Sequence, residues 1–218
     1  MPTFRRTQIQ TTYGSSVHDL AAEGPCGQVE SGVKFNPTDI PGVMVIDIDP
    51  HEDVRGFFAR TWCANEFSAH ALAARMVQAS ISFNRRKGTL RGMHFQAAPQ
   101  REARLVRCTA GATFDAVVDL RPDSPSFLRH VTAELRADLH NAIYVPPGCA
   151  LGFQTLTDNT EVFYQMSEFY EPGASAGFRW NDPAFRIRWP DDERIVIERD
   201  ANYPDFEPHL VQGFRGYL

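Results

Sequence analysis

The sequence predicts an all-β domain, a sandwich or barrel of antiparallel strands of the jelly-roll kind. Three observations carry this. From Lys34 onward, short runs of alternating or continuous apolar residues recur at close intervals. Turn signals such as RPDSPS and VPPG separate them, and no alternating helical pattern intervenes. The 218 residues include 16 Phe, and an aromatic share of 11% suits a sheet-rich core more than a helical bundle.

Taken in order, residues 1–33 differ from the rest. They are rich in Thr, Ser, Gly and Gln, poor in aliphatics, and carry no sustained period. An N-terminal extension, an arm or a poorly ordered segment, is expected there. Residues 34–218 then form one domain with a C-terminal flanking segment. VMVIDID (Val43–Asp49) reads as a strand, and CANEFSAHALAARM (Cys63–Met76) has the spacing of a helix, the one helix near the front. Eight strand-like segments follow: VQASISFN, TLRGMHFQ, ARLVRCTAG, ATFDAVVDLR, LRHVTAELR, NAIYVPPG, LGFQTLTD and EVFYQMSEFY. A short helical or irregular region after Trp189–Pro190 closes the chain, and no repeat of solenoid length is visible.

The bulk numbers exclude several classes. A net charge of −5 leaves no electrostatic footprint for nucleic acid or an anionic membrane, so any anionic ligand must be caught by individually placed arginines. No apolar run approaches membrane-spanning length, and the N-terminus lacks the apolar stretch of a secretion signal, so a cytoplasmic protein is expected. Cys26, Cys63, Cys108 and Cys149 stand far apart without a CxxC, which reads as reduced thiols. Acyl-transfer, nucleotide-cradling and dinucleotide motifs (GxSxG, the P-loop, GxGxxG) are absent.

A barrel offers a concave interior, so polar residues in its strands need an account. His94 comes first. A metal site would want a second histidine in an HxH pair and a carboxylate; the partner position is Gln96 and only Glu102 follows nearby, so no metal is expected. Arg91 lies three residues earlier, on the opposite face of a regular strand, but Gly92 between them permits a bulge that brings both to one cavity. Arg104 and Arg107 share the next strand, one buried and one solvated. Tyr164 and Tyr170 are in phase on a period-2 strand. Asp200, in ERDANYPD, reads first as a turn or cap residue, and Asp115 and Asp119 as strand-end charges. Composition and spacing stop at a β-barrel with a His/Arg/Tyr pocket.

Ordered motifs take the reading further: FNPTDIPGV, RGFFARTW, ISFNRRKGTLRGMHFQ, TFDAVVDLRPDSPSF, YVPPGCALGFQTL, EVFYQMSEFY, RWNDPAFRIRWP and ERDANYPDF. Together, from about Lys34 to Asp205, they resemble the dTDP-4-dehydrorhamnose 3,5-epimerase family of nucleotide-sugar epimerases. The resemblance implies a cupin-like jelly roll without metal or cofactor, usually a homodimer, acting on a nucleoside-diphosphate 4-keto-6-deoxyhexose. It implies His94 as general base, Asp200 as its carboxylate partner, Tyr164 as proton donor on the opposite face, and Arg104 as a cation by the enolate oxygen where lysine is common. Arg55, Arg91 and Arg199 match diphosphate contacts; Phe58, Gln78 and Tyr170 match positions near the nucleotide, part of that site coming from the dimer partner. Two departures accompany Arg104. Leu151 stands in CALGF where the family has a histidine, and Ala79 replaces an asparagine of the QxN element. They keep a second reading open, a catalytically silent sugar-nucleotide-binding barrel.

Overall fold

A computed structural model describes residues 32–218; the extension expected over residues 1–33 lies outside the described residues except for its last two. The domain is built on two antiparallel sheets. The first joins β1 (Lys34–Pro37), β2 (Met44–Asp47), β5 (Gln78–Asn84), β7 (Arg104–Ala110), β10 (Ala142–Val145) and β12 (Thr160–Met166) in the order β1-β2-β10-β7-β12-β5. The second joins β6 (Leu90–Gln96), β8 (Ala112–Asp119), β9 (His130–Arg136), β11 (Cys149–Thr155) and β13 (Ser175–Gly177) in the order β13-β6-β11-β8-β9. A separate hairpin pairs β3 (His51–Asp53) with β4 (Gly56–Phe58). From β5 to β13 the chain thus crosses between the sheets at every step but the β8–β9 hairpin, the jelly-roll arrangement expected from the close spacing of strands.

Period-2 alternation divides the apolar residues among three cores. Val106, Cys108, Val117, Leu135, Ile143, Leu151, Phe153 and Val162 come from both sheets and fill the space between them. Leu90, Met93, Phe95, Ala116, Val118 and Ala150 face the other way, under Phe178, Phe185, Trp189, Val211 and Phe214 of the C-terminal segment. The third core lies on the outer side of the six-stranded sheet, where Ile46, Leu105, Ala142 and Tyr144 meet Phe67 and Leu72. The C-terminal region is therefore a cover for one sheet, and its late short helix α2 (Glu198–Ala201) reaches the edge of the lumen.

Three local expectations change. The helix expected over Cys63–Met76 spans only Ala64–Ala69 (α1), and the chain turns at Ala71, φ 56°. A continued helix would carry Leu72 about 140° around the axis from Phe67. Unwinding lets both residues enter the same core, and the Ala73 N–H then donates to the Tyr144 hydroxyl at 2.8 Å. The strand expected to run through Tyr170 ends at Met166, so Tyr164 and Tyr170 do not share it. Asp119 does end β8, but as a fully buried charge and not a solvated one, accepting from Arg121 Nε at 2.7 Å and Nη2 at 2.9 Å and from the hydroxyls of Ser124 and Ser126, whereas Asp115 lies in mid-strand. Burial pushes its carboxyl up, but Arg121 and the two hydroxyls outweigh that and hold it below the usual carboxylate range. The RPDSPS turn is shaped around this one carboxylate. Cys63, Cys108 and Cys149 are free thiols, and Cys26 lies outside the described residues.

Candidate active site

The site begins with a bulge. His94 pairs with Leu151 and Arg91 with Phe153, so β6 spends three residues where β11 spends two. Gly92 is the extra residue, at φ 128°; a Cβ there would meet the Gly152 Cα at 2.4 Å. Only glycine fits this backbone and this approach. The extra residue resets the alternation. Leu90, Met93 and Phe95 go to the outer core, while Arg91 and His94 both line a cavity between the sheets.

The bulge also frees a donor. The Gly92 N–H donates to Asp200 Oδ2 at 3.2 Å, and Asp200 Oδ1 lies 3.0 Å from His94 Nε2. Arg199 completes the cluster, its Nε 3.1 Å from Asp200 Oδ1 and its Nη2 3.4 Å from His94 Nε2. Asp200 is therefore not a solvated turn residue; α2 delivers it, buried, under the imidazole. Burial pushes its carboxyl up, yet the His94 hydrogen bond and charge, the Gly92 N–H and Arg199 hold it below its ordinary value. Tyr203 stands edge-on to His94 with ring centres 6.0 Å apart. It reaches that place because Gly177 on β13 has no Cβ, which would sit 2.7 Å from the Tyr203 ring.

The facing sheet supplies the opposite wall. Tyr164 on β12 lines both compartments of the cavity, about 280 Å³ and about 270 Å³, which also share His94, Arg104 and Arg199. Its phenol accepts and donates no hydrogen bond within the described residues. Burial first, then the carboxyl of Asp115, raise its pKa; Arg91 and Arg104 pull the other way. Arg104 on β7 donates from Nη1 to the His94 carbonyl at 3.2 Å and from Nε to Glu102 at 2.5 Å. Arg91 is held by Asn84, Nε to Oδ1 at 2.8 Å. Arg107, on the other face of β7, donates to the Thr61 carbonyl and lines neither compartment.

Gln78 and Tyr170 meet at the mouth, where the Tyr170 N–H donates to Gln78 Oε1 at 2.5 Å. Tyr170 arrives through the irregular segment after β12, not along a strand. Ala79 turns away from the cavity; alternation along β5 gives Ser80 and Ser82 to the lining, so the missing amide belongs to Ser80. Leu151 does line the inner compartment. Arg55 and Phe58 are not brought in. They sit on the β3–β4 hairpin, where among the described residues Arg55 pairs with Asp53 alone and Phe58 is 77% exposed. Ser80, Ser82, Gln96 and Tyr203 were missed from sequence, although the period-2 phase running from Gln78 reaches both serines. A larger cleft elsewhere, of about 590 Å³, is lined by Arg86, Lys87, Asp158, Glu193 and Arg194. Two of its cations already engage protein groups, Lys87 with Asp191 and Arg194 with Asp192. Among the described residues, no three His, Cys, Asp or Glu side chains are grouped to hold a metal ion.

A jelly-roll lumen with an imidazole on one sheet, a helix-borne carboxylate beneath it, a phenol on the other sheet and arginines around them is a barrel-type site furnished with acid–base groups. Comparison with known proteins then narrows the class. Residues 37–208 match the sequence-family model of dTDP-4-dehydrorhamnose 3,5-epimerase. The chain is 36% identical over 171 residues to the dTDP-4-dehydrorhamnose 3,5-epimerase of Sinorhizobium fredii, covering 78% of this chain and 88% of that one. It superposes on the Bacillus anthracis dTDP-4-dehydrorhamnose 3,5-epimerase crystal structure with TDP and PPi bound at a TM-score of 0.77 and 32% identity, covering 80% and 100% of the two chains. A 3'-monoepimerase from Streptomyces bikiniensis in complex with dTDP-quinovose gives a TM-score of 0.73 at 29% identity, covering 82% and 91%. The chain belongs to the dTDP-4-dehydrorhamnose 3,5-epimerase family, and it is an isomerase of the nucleotide-sugar epimerase type.

Proposed function

We propose that the protein inverts C3, C5 or both in a 4-keto-6-deoxyhexose carried on a nucleoside diphosphate. One observation carries the reading: His94 with Asp200 stands on one sheet and Tyr164 on the facing sheet, across a cavity of sugar size. Inversion beside a ketone needs that arrangement. His94 takes the carbon-bound proton, the C–H electron pair moves into an enolate, and Tyr164 gives its O–H proton to the same carbon from the other face. The ketone itself accepts the electron pair, so the reaction as written draws on no redox group. Asp200 orients the imidazole and favours its charged form after proton capture. Arg104 offers a guanidinium to the enolate oxygen, with a planar fork in place of a point charge.

Arg91 and Arg199 border the same cavity and suit phosphate oxygens. Gln78 and Tyr170 at the mouth suit the nucleoside. The thymidine nucleotides held by the Bacillus and Streptomyces relatives make a thymidine diphosphate sugar the first substrate to test. Arg55 and Phe58 fit the reading through a homodimer. Their hairpin exposes Val54, Phe57 and Phe58 on one chain, an apolar and cationic finger suited to enter the nucleotide site of a second copy.

The test is exchange of substrate hydrogen in D₂O, followed by NMR across dTDP-, GDP- and CDP-4-keto-6-deoxy sugars. Deuterium at C3, at C5 or at both identifies the inverted centres. His94→Ala is expected to abolish it, a loss on the order of 10²–10⁴-fold. Ordinary exchange by that variant removes His94 as the base, and nucleotide binding without exchange by the unaltered protein supports the silent barrel instead.

A further inference from the structure

Asp115, in the middle of β8, is fully buried, and its Oδ1 has no hydrogen-bond partner. Its Oδ2 accepts from the Thr113 hydroxyl at 2.5 Å, and that hydroxyl lies 3.3 Å from Cys108 Sγ. Among the described residues no cation pairs with it, unlike Asp119 four residues on. A lone carboxylate in such a place is costly unless it keeps a proton.

Strand alternation points Asp115 into the lumen. Thr113, Asp115 and Val117 share one face of β8, and Val117 packs in the core that contains Leu151, Phe153 and Val162, with Tyr164 against it. The strands flanking β8 bring no charge: β9 presents Val131, Ala133 and Leu135, and β11 presents Leu151 and Phe153. From the facing sheet come Cys108 and Arg104 on β7 and Tyr164 on β12; Arg91 stands on β6. His94 and Arg199 also line the inner compartment, where both are engaged with Asp200, and Glu102 is engaged by Arg104. Two of these groups, His94 and Tyr164, change charge in the reaction proposed above, and Tyr164 is the one packed against the core that Asp115's face of β8 helps to form.

We propose that Asp115 is a positioning residue for Tyr164, tuning how readily the phenol gives up its proton from a place the substrate does not touch. The inference rests on the epimerase reading. When Tyr164 protonates the enolate carbon, its O–H bond breaks and the electron pair stays on the phenolate oxygen. A neutral Asp115 tolerates that anion, and an ionised one opposes it. Burial raises Asp115 from 3.8 to about 7 against the pull of Thr113, so the change of state falls near neutral pH. The same carboxylate raises Tyr164, while Arg91 and Arg104 lower it.

The experiment measures the pH profile of solvent deuterium exchange for the unaltered protein, Asp115→Asn and Thr113→Val. The unaltered protein is expected to lose activity on the order of tenfold from below to above neutral pH. Asp115→Asn, isosteric and always neutral, is expected to lack this descending limb while keeping the ascending one. Thr113→Val removes the hydrogen bond that favours the carboxylate and is expected to move the limb to higher pH; it also serves if Asp115→Asn does not fold. Infrared difference spectra supply a readout without substrate. A protonated-carboxyl band should vanish above neutral pH and be missing in Asp115→Asn. An unchanged limb in both variants, or no such band, overturns the inference and leaves the epimerase reading standing. A normal band with no exchange by the unaltered protein removes the epimerase reading, and Asp115's role with it.

Discussion

The two buried aspartates of β8 show how much a single partner decides. Asp119 and Asp115 are four residues apart, equally buried, and alike in the sequence. Asp119 has Arg121 and two hydroxyls and stays ionised; Asp115 has one hydroxyl and is pushed up to about 7. The sign of the stability effect follows. A carboxyl that binds its proton more tightly folded than unfolded costs stability as pH rises from its unfolded pKa to its folded one. The window therefore runs from about pH 4 to about pH 7, and the loss is complete above it. A rise from 3.8 to about 7 corresponds to about 4 kcal/mol. Asp115→Asn is expected to be more stable than the unaltered protein above neutral pH, by up to that amount, with the gap closing towards about pH 4. Urea unfolding at about pH 5 and about pH 8 measures it; an equal difference at both would assign Asp115 an ordinary titration.

At the scale of elements, the bulge in β6 is the feature on which the site depends. Without it, Arg91 and His94 would lie on opposite faces, and Asp200 would lose the Gly92 N–H. Gly92→Ala places a methyl group against the Gly152 backbone at a φ that disfavours any side chain. The expected cost is about 2 kcal/mol or more. Exchange activity should fall further than stability explains, because His94 and Asp200 shift together. Thermal unfolding and exchange kinetics on the same preparation separate the two effects. The helix α1 teaches the complementary point. Its sequence carries helical spacing to Met76, but burying both Phe67 and Leu72 against the sheet stops it at Ala69.

For the whole molecule, the β3–β4 hairpin is the part a single chain leaves unexplained. Arg55 and Phe58, expected from the family resemblance to contact the nucleotide, stand exposed on their own chain. If the hairpin enters the partner's site, a protomer carrying Arg55→Ala and Phe58→Ala damages its neighbour and not itself. Mixing that variant with His94→Ala should then recover activity that neither has alone, since one site of each mixed dimer is intact. No recovery on mixing would show that the hairpin does not serve a neighbouring site. No helix among the described residues is long and apolar enough to cross a membrane.

The sequence by itself determined the strand rhythm, the approximate place of nine of the thirteen strands (all but β1, the β3–β4 hairpin and β13), and the family, because alternation, turn chemistry and ordered motifs are local properties. It also marked Gly92 as the residue able to unite Arg91 with His94. What only the tertiary structure decided was which polar residues share a space. Asp200 and His94 are 106 positions apart along the chain and meet because α2 folds over a bulge. Tyr170 reaches the mouth through an irregular segment, and Ser80 replaces Ala79 as the lining residue through strand phase. Asp115 is distinguished from Asp119 only by what faces it. Burial and partnership are sums over distant segments, and a linear reading has no access to them until the sheets are stacked.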